Sequence, residues 1–244
     1  MSSSERSIPD IPGDYQHMAM HHGPHSQRRW HRQKLEIVLE SAARNPFRSA
    51  LDAGCGSAIV SARIARAFSG STVVGLDLSS SAIEFCRTTY RDEPNLSFRI
   101  ANLTKPDLEI SQQFEFVFST EVIEHLRLDQ VSDYLKNLHR LGSPGGRYFL
   151  STPDYSTAWP AVEWNLDILQ LTPRMRGHQH LTLFTPDRLC RELEKSGFRI
   201  ERIFGFCGFG PLLGSISSFV ADSVETWERR RARGMLIGCE FVKS

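Results

Sequence analysis

The sequence predicts an α/β fold, a doubly wound and mainly parallel sheet, on three observations. Ala50-Leu51-Asp52-Ala53-Gly54-Cys55-Gly56-Ser57-Ala58 is a short apolar run that ends in an acid and breaks into small residues, and residues 60–68 then resume a helical period. That is a buried strand, a tight turn and a helix start. Thr72-Val73-Val74-Gly75-Leu76 reads as the next buried strand and delivers Asp77 at its carboxyl end, 23 residues after Gly54. Folds of this type place an acid at about that distance on a ribose. Thirdly, strand and helix patterns go on alternating towards the C-terminus.

The elements follow in order. Residues 1–14 are rich in Ser and Pro without an apolar core, so they read as disordered, neither signal peptide nor membrane span. Residues 15–25 hold His17, His21, His22 and His25. They read either as a polar arm or as a lid over a cofactor, with Tyr15 or a histidine facing the pocket. No acid or cysteine lies at ligand spacing within the cluster, so it is a poor metal site alone. Ser26 is placed as the cap of a helix running to about Ala43. Trp30, Leu35, Val38 and Leu39 form its apolar face, with Arg28, Arg29, Arg32 and Lys34 on a solvated one.

Beyond the glycine turn, 80–90 reads as a helix and 96–100 as a strand with period-two alternation, ending at Ala101-Asn102-Leu103. A fourth strand spans 114–118, and a helix closes over 135–141. Ser143-Pro144-Gly145-Gly146 turns into a strand at 147–151. Residues 186–196 form a capped helix, 198–203 a strand and 235–242 the last strand. Two segments stand outside this plan. Residues 155–183 are too long for an ordinary connection, and their Trp159, Trp164, Leu166, Ile168 and Leu169 offer surface to roof a pocket. Residues 204–220 thread apolar side chains among Gly, Pro and Ser, too interrupted to span a bilayer. They predict a substrate-pocket lining, an oligomer contact or a membrane-surface contact. The arginines that carry this second insertion on to residue 233 read as a solvated helix end.

The 244 residues suit one domain with embellishments: a flexible arm at 1–25 and the main domain at 26–244. The chain is 40% hydrophobic and 23% charged, with net charge +1, which argues against a dedicated nucleic-acid binder. Its five scattered cysteines show no C-x-x-C pair and read as reduced, hence a cytoplasmic protein.

Leu51-Asp52-Ala53-Gly54-Cys55-Gly56 resembles the first motif of class I S-adenosylmethionine-dependent methyltransferases, and Val74-Gly75-Leu76-Asp77-Leu78-Ser79 resembles their second. Ala58 stands where that family usually carries a third glycine. The resemblance covers about 49–206 plus the last strand. It implies a seven-stranded Rossmann-like sheet with an antiparallel last strand and S-adenosyl-L-methionine as cofactor, to which the two insertions outside that plan add helical lids. An aspartate before the glycines suits a cationic amino-acid cofactor better than a pyrophosphate. The resemblance puts Asp52, Gly54, Cys55 and Gly56 against the cofactor, then Asp77 and Leu78, Asn102 and Leu103 at the adenine, and Thr120 at the end of the fourth strand.

Glu121-Val122-Ile123-Glu124-His125 follows that strand. On an α-helix, Glu121, Glu124 and His125 would share one face. Two carboxylates and an imidazole form a divalent-metal site once one more ligand arrives, from His178 or His180. The pattern, with His178-Gln179-His180 and Phe184-Thr185-Pro186, resembles ubiquinone-biosynthesis O-methyltransferases. It also resembles small-RNA 3′-terminal 2′-O-methyltransferases, in which the resemblance implies a magnesium ion. Packing and capping of a helix start is the other reading of Glu121, Glu124 and His125. His125 and His178 are the candidate catalytic bases, and Glu121, Glu124, His125 and His180 the candidate ligands of Mg or Mn. The function expected is methyl transfer to a small, partly apolar acceptor, at a hydroxyl oxygen. The alternatives are a metal-dependent RNA 2′-O-methyltransferase and a non-catalytic cofactor-binding domain. The acceptor's identity and the oligomeric state are not written in the sequence.

Overall fold

A computed structural model describes residues 12–168, 179–214 and 216–243. Two helices, α1 (Tyr15–His22) and α2 (His25–Ala43), precede the sheet. The alternating core follows as β1 (Ser49–Ala53), α3 (Ile59–Ala67), β2 (Thr72–Asp77), α4 (Ser80–Thr89), β3 (Leu96–Ile100) and β4 (Phe114–Thr120). A 3₁₀ turn at Ile123–His125 leads to α5 (Leu128–Leu141), β5 (Gly142–Pro153), α6 (Trp159–Ile168) and α7 (Pro186–Lys195). The chain ends with β6 (Phe198–Phe206), α8 (Gly210–Leu213), α9 (Ser218–Arg230) and β7 (Leu236–Lys243).

The seven strands form one sheet in the order β3-β2-β1-β4-β5-β7-β6. β1 to β5 are parallel, and β7 runs antiparallel to both β5 and β6. The central strands β1, β2 and β4 are buried on both faces, which is why they read as nearly continuous apolar runs, whereas the edge strands β3 and β6 are partly exposed. Phe116, Phe118 and Phe149 point to the face covered by α2 and α3, packing with Val38, Ala42 and Ile64. Val117, Tyr148 and Leu150 alternate with them and meet Leu135, Leu138, Leu189 and Leu193 of α5 and α7 on the other face. Local chemistry sets helix starts where sequence suggested them: Ser79 Oγ accepts from Ala82 N ahead of α4, and Thr185 accepts from Arg188 N ahead of α7. Among the described residues, no helix is long and apolar enough to cross a membrane.

Three expectations change. Helix α2 begins one residue before Ser26, behind Pro24, and has no side-chain cap. Its basic residues are not all solvated: Arg29 and Lys34 are each 7% exposed. Arg29 pairs with Asp222 and Glu225 of α9, while Lys34 reaches Glu121. Phe204 and Phe206 belong to the end of β6, so the second insertion starts after them and folds as α8 and α9 over α2. Burying a cation requires a partner, and both partners come from segments far away in sequence.

One buried hydroxyl ties α5 to the strand ends that carry the site. Tyr134 donates to the Ala53 carbonyl at 3.1 Å and accepts from Ser119 Oγ at 2.6 Å. Tyr134→Phe leaves a buried carbonyl and a buried hydroxyl without that partner. It should cost about 1–3 kcal/mol, read from denaturant unfolding as a lower midpoint at unchanged slope.

Candidate active site

The sheet changes winding direction between β1 and β4, and open sheets of this kind bind ligands in the crevice at the carboxyl ends of the strands there. The glycine turn after β1 lies at that point. Gly54 has φ +88° and Gly56 φ +49°, and Gly54 N and Cys55 N donate to the Leu76 carbonyl at 2.8 and 3.0 Å. A Cβ on Gly54 would stand 2.5 Å from Val122 Cγ2, so no side chain fits. Ala58 also takes a left-handed conformation, φ +56°. The missing third glycine is therefore met by strain in an alanine, worth roughly 1–2 kcal/mol. Cys55 is buried within this turn.

Asp77 is held in place by backbone amides. Gly56 N donates to its Oδ2 at 2.7 Å and Ser79 N to its Oδ1 at 2.9 Å. Each oxygen keeps a second lone pair for a ligand hydroxyl. Leu78 beside it is 59% exposed and offers an open apolar face. Asp52 is 2% exposed; its Oδ2 accepts from Ser61 Oγ at 2.5 Å, and its Oδ1 has no partner. Burial first, then the nearby Asp77 carboxylate, pushes its carboxyl up to about 7, against the Ser61 hydrogen bond. At the end of β3, Asn102 Oδ1 accepts from both Thr104 N and Thr104 Oγ1. Its two lone pairs are used in this local turn, leaving its amide hydrogens for a ligand. Leu103 is buried next to it, and Thr120 ends β4 in register with Ser151. Helix α1 approaches the same turn: a Cβ on Gly56 would lie 3.0 Å from Gln16 Oε1, and His17 packs edge-on against Phe85 of α4.

Next to this crevice the chain brings together Glu124, His125 and His180, which each offer a ligand atom within 4.8 Å of the others. Backbone pairing makes the junction. Leu181 N and Thr182 N donate to the Glu124 carbonyl at 2.8 and 3.1 Å, and His125 Nδ1 lies 3.0 Å from the Gln179 carbonyl. A carbonyl only accepts, so His125 carries its proton on Nδ1 and leaves Nε2 with a lone pair. Glu124 is 1% exposed; Thr152 Oγ1 donates to its Oε2 at 3.1 Å, and its Oε1 has no partner among the described residues. Burial raises the Glu124 carboxyl to about 7, His180 opposing and Glu121 reinforcing the shift. Burial lowers His125 below the usual imidazole value, against the Gln179 carbonyl and Glu121.

The expected helical face does not form. Glu121 has φ +54°, and only the 3₁₀ turn Ile123–His125 follows it. Its Oε2 accepts from Lys34 Nζ at 2.5 Å, outside the group of three. His178 lies outside the described residues. The two ends of the first insertion meet where Tyr155 N donates to the Phe184 carbonyl at 2.9 Å. Within it, Trp159 is buried between Trp30 (ring centroids 5.7 Å apart) and His180 (6.4 Å), while Trp164 is 57% exposed. Sequence reading missed Tyr155, Glu163, Thr152 and Lys34. A lone acid between two tryptophans, Trp159-Pro160-Ala161-Val162-Glu163-Trp164, was the one available signal that Glu163 is buried.

The raised Glu124 carboxyl has a stability signature. With its folded value above the unfolded one, its favourable contribution is complete below about pH 4.5 and disappears as pH rises through about 7. In chelator, the stability of Glu124→Gln relative to the parent should rise by on the order of 3 kcal/mol between pH 4.5 and 7.5. Parallel denaturant series at each pH check this, and a flat difference would contradict the shift.

The family model described as "Methyltransferase domain" matches residues 24–203. The chain is 30% identical over 181 residues to a ubiquinone biosynthesis O-methyltransferase of Pseudomonas syringae pv. tomato, covering 71% of this chain and 74% of that protein. A second ubiquinone biosynthesis O-methyltransferase, from Nitrobacter winogradskyi, is 27% identical over 188 residues, 70% of this chain and 69% of that one. In fold, the chain is similar to magnesium protoporphyrin IX methyltransferase from Synechocystis with bound SAH. The TM-score is 0.62 at 19% identity, over 89% of this chain and 85% of that one. A sheet of order 3-2-1-4-5-7-6 with an antiparallel seventh strand, a glycine turn and Asp77 in place accord with these matches: the chain belongs to the methyltransferase-domain family and is an S-adenosylmethionine-dependent methyltransferase.

Proposed function

We propose that this methyltransferase moves the methyl group of S-adenosyl-L-methionine to a hydroxyl oxygen of a small, partly apolar molecule. The observation that carries the reading is the convergence of a Glu124 carboxylate oxygen and two imidazoles, with Nδ1 tied on each, just past the end of β4. A sulfonium methyl is already activated, so the protein's main task is to align an acceptor lone pair with it. A hydroxyl acceptor also has to lose a proton. With no cation on its Nε2, His125, kept neutral by burial, takes that proton near neutral pH. Trp30 and Trp159 shape an apolar wall beside His180, suited to the body of such an acceptor. Asp77 holds the ribose, Gly54, Cys55 and Gly56 let the cofactor approach the backbone, and Asp52 faces its cationic end. Leu78, Leu103 and the Asn102 amide serve the adenine, and Thr120 the methionyl side. The domain is residues 26–244, preceded by the arm 1–25, of which residues 15–25 serve as a lid over the cofactor, in a cytoplasmic protein whose five cysteines are free.

Glu124, His125 and His180 also fit a divalent cation. The buried carboxylate oxygen lacks a partner, and each imidazole is hydrogen-bonded through Nδ1, the arrangement that orients metal-binding histidines. Two nitrogens and one oxygen suit manganese better than magnesium. When bound, such an ion lowers the pKa of a hydroxyl it contacts. The RNA reading draws on the same motif, but its first acid is engaged with Lys34 and the net charge is only +1.

Two measurements test this reading. Asp77→Ala should weaken S-adenosylhomocysteine binding by on the order of 2–4 kcal/mol, as for charge-assisted hydrogen bonds; unchanged affinity by calorimetry would sink the ribose assignment. Radiolabelled cofactor should label an organic-extractable metabolite, with activity cut at least tenfold by EDTA and restored by manganese. Full activity in EDTA would remove the cation and leave His125 as base. Label appearing only in RNA oligonucleotides would reverse the substrate class.

A further inference from the structure

Helix α6, the one described helix of the first insertion, presents an apolar sequence to the site and yet contains Glu163, which is 0% exposed. Isolating a carboxylate from water costs several kcal/mol unless donors surround it. Its partners are specific. Glu163 Oε1 lies 2.7 Å from His180 Nδ1 and accepts from the Tyr155 hydroxyl at 2.7 Å; the same hydroxyl is 2.7 Å from His180 Nδ1. His180 is itself 6% exposed, and its ring stands 5.2 Å from that of His125.

We infer that Glu163 is a positioning residue that fixes His180 with its proton on Nδ1 and its Nε2 lone pair turned to Glu124 and His125. A carboxylate oxygen accepts and cannot donate, so at 2.7 Å the imidazole nitrogen facing it has to carry the proton. The opposite tautomer would set two lone pairs against each other in a buried site. The nitrogen left for the cluster is Nε2. His125 reaches the same state through the Gln179 carbonyl. The two histidines are therefore locked by different parts of the chain, His125 by the backbone of the 179–182 segment and His180 by the roof helix. Tyr155, at the start of the insertion, donates its proton to the same Glu163 oxygen and braces it. The seating of α6 thus decides whether the acceptor-side cluster is complete, which makes the roof part of the site and not only its cover.

This inference rests on the reading of Glu124, His125 and His180 as the acceptor-side cluster, and its test separates the two. The full chain labelled with ¹⁵N-histidine reports the tautomer of each imidazole, with His180 assigned by its loss in His180→Gln. The parent should show His180 protonated on Nδ1. Glu163→Gln should lose that single state, because a carboxamide both accepts and donates and no longer chooses. Tyr155→Phe should keep it. Manganese binding by calorimetry should weaken 10–100-fold in Glu163→Gln, the usual effect of losing an outer partner of a ligand. S-adenosylhomocysteine affinity should stay within about twofold, showing an intact fold. His180 protonated on Nε2 in the parent, or an unchanged tautomer in Glu163→Gln, overturns the inference. If Glu163→Gln fails to fold, the parent and Tyr155→Phe spectra still decide it. A parent that binds no manganese removes the cation from the proposed function but leaves the tautomer result to judge Glu163.

Discussion

The site depends on one junction in the backbone: the Glu124 carbonyl accepting from both Leu181 N and Thr182 N. The 3₁₀ turn after β4 is too short to satisfy its own polar groups, and the 179–182 segment completes it. Thr182 Oγ1 adds a third link to the Leu126 carbonyl at 2.6 Å. These bonds bring His180 to His125 across more than fifty residues of chain. They also hold the end of the insertion against the carboxyl end of β4, beside the glycine turn that follows β1. The hydrogen bonds that set Asp77 and the glycine turn are separate from this pairing and run between the end of β1, β2 and the start of α4.

The division between what the sequence disclosed and what it did not follows the range of the interactions. Strand β3 falls at the expected residues because its apolar and polar residues alternate, and β1, β2 and β4 differ only at their ends because burial on both faces writes a local apolar pattern. The glycine turn and Asp77 are legible because close backbone approach admits so few residue types. By contrast, Glu121 looked like part of a helical face because i, i+3 and i+4 spacing is all that sequence displays. Its left-handed backbone and its bond to Lys34 depend on α2, 87 positions earlier. Arg29 and Lys34 looked solvated for the same reason: the acids that bury them lie on α9 and beyond β4. Glu163 was hidden because its meaning comes from Tyr155 and His180, one on each side of the insertion.

Electrostatically, the two halves of the site differ. At the glycine turn, Asp77 is held by two backbone amides, while burial raises the Asp52 carboxyl to about 7 and leaves one of its oxygens without a partner. That suits a sulfonium cofactor with a free amine. At the Glu124, His125 and His180 cluster, burial suppresses the charge of Glu124 and keeps His125 neutral. The cluster is thus poised to receive a proton or a cation, and either event would relieve the orphaned Glu124 Oε1.

The central claim is that Glu124, His125 and His180 form a preassembled three-donor site beside the cofactor, with Glu121 excluded by Lys34. Crystals grown with S-adenosylhomocysteine and manganese, measured at the manganese absorption edge, test it most directly. The account predicts one anomalous peak, bound by Glu124, His125 Nε2 and His180 Nε2, with Glu121 still paired to Lys34. No peak there at saturating manganese, or a peak ligated by Glu121 in place of His180, would contradict it.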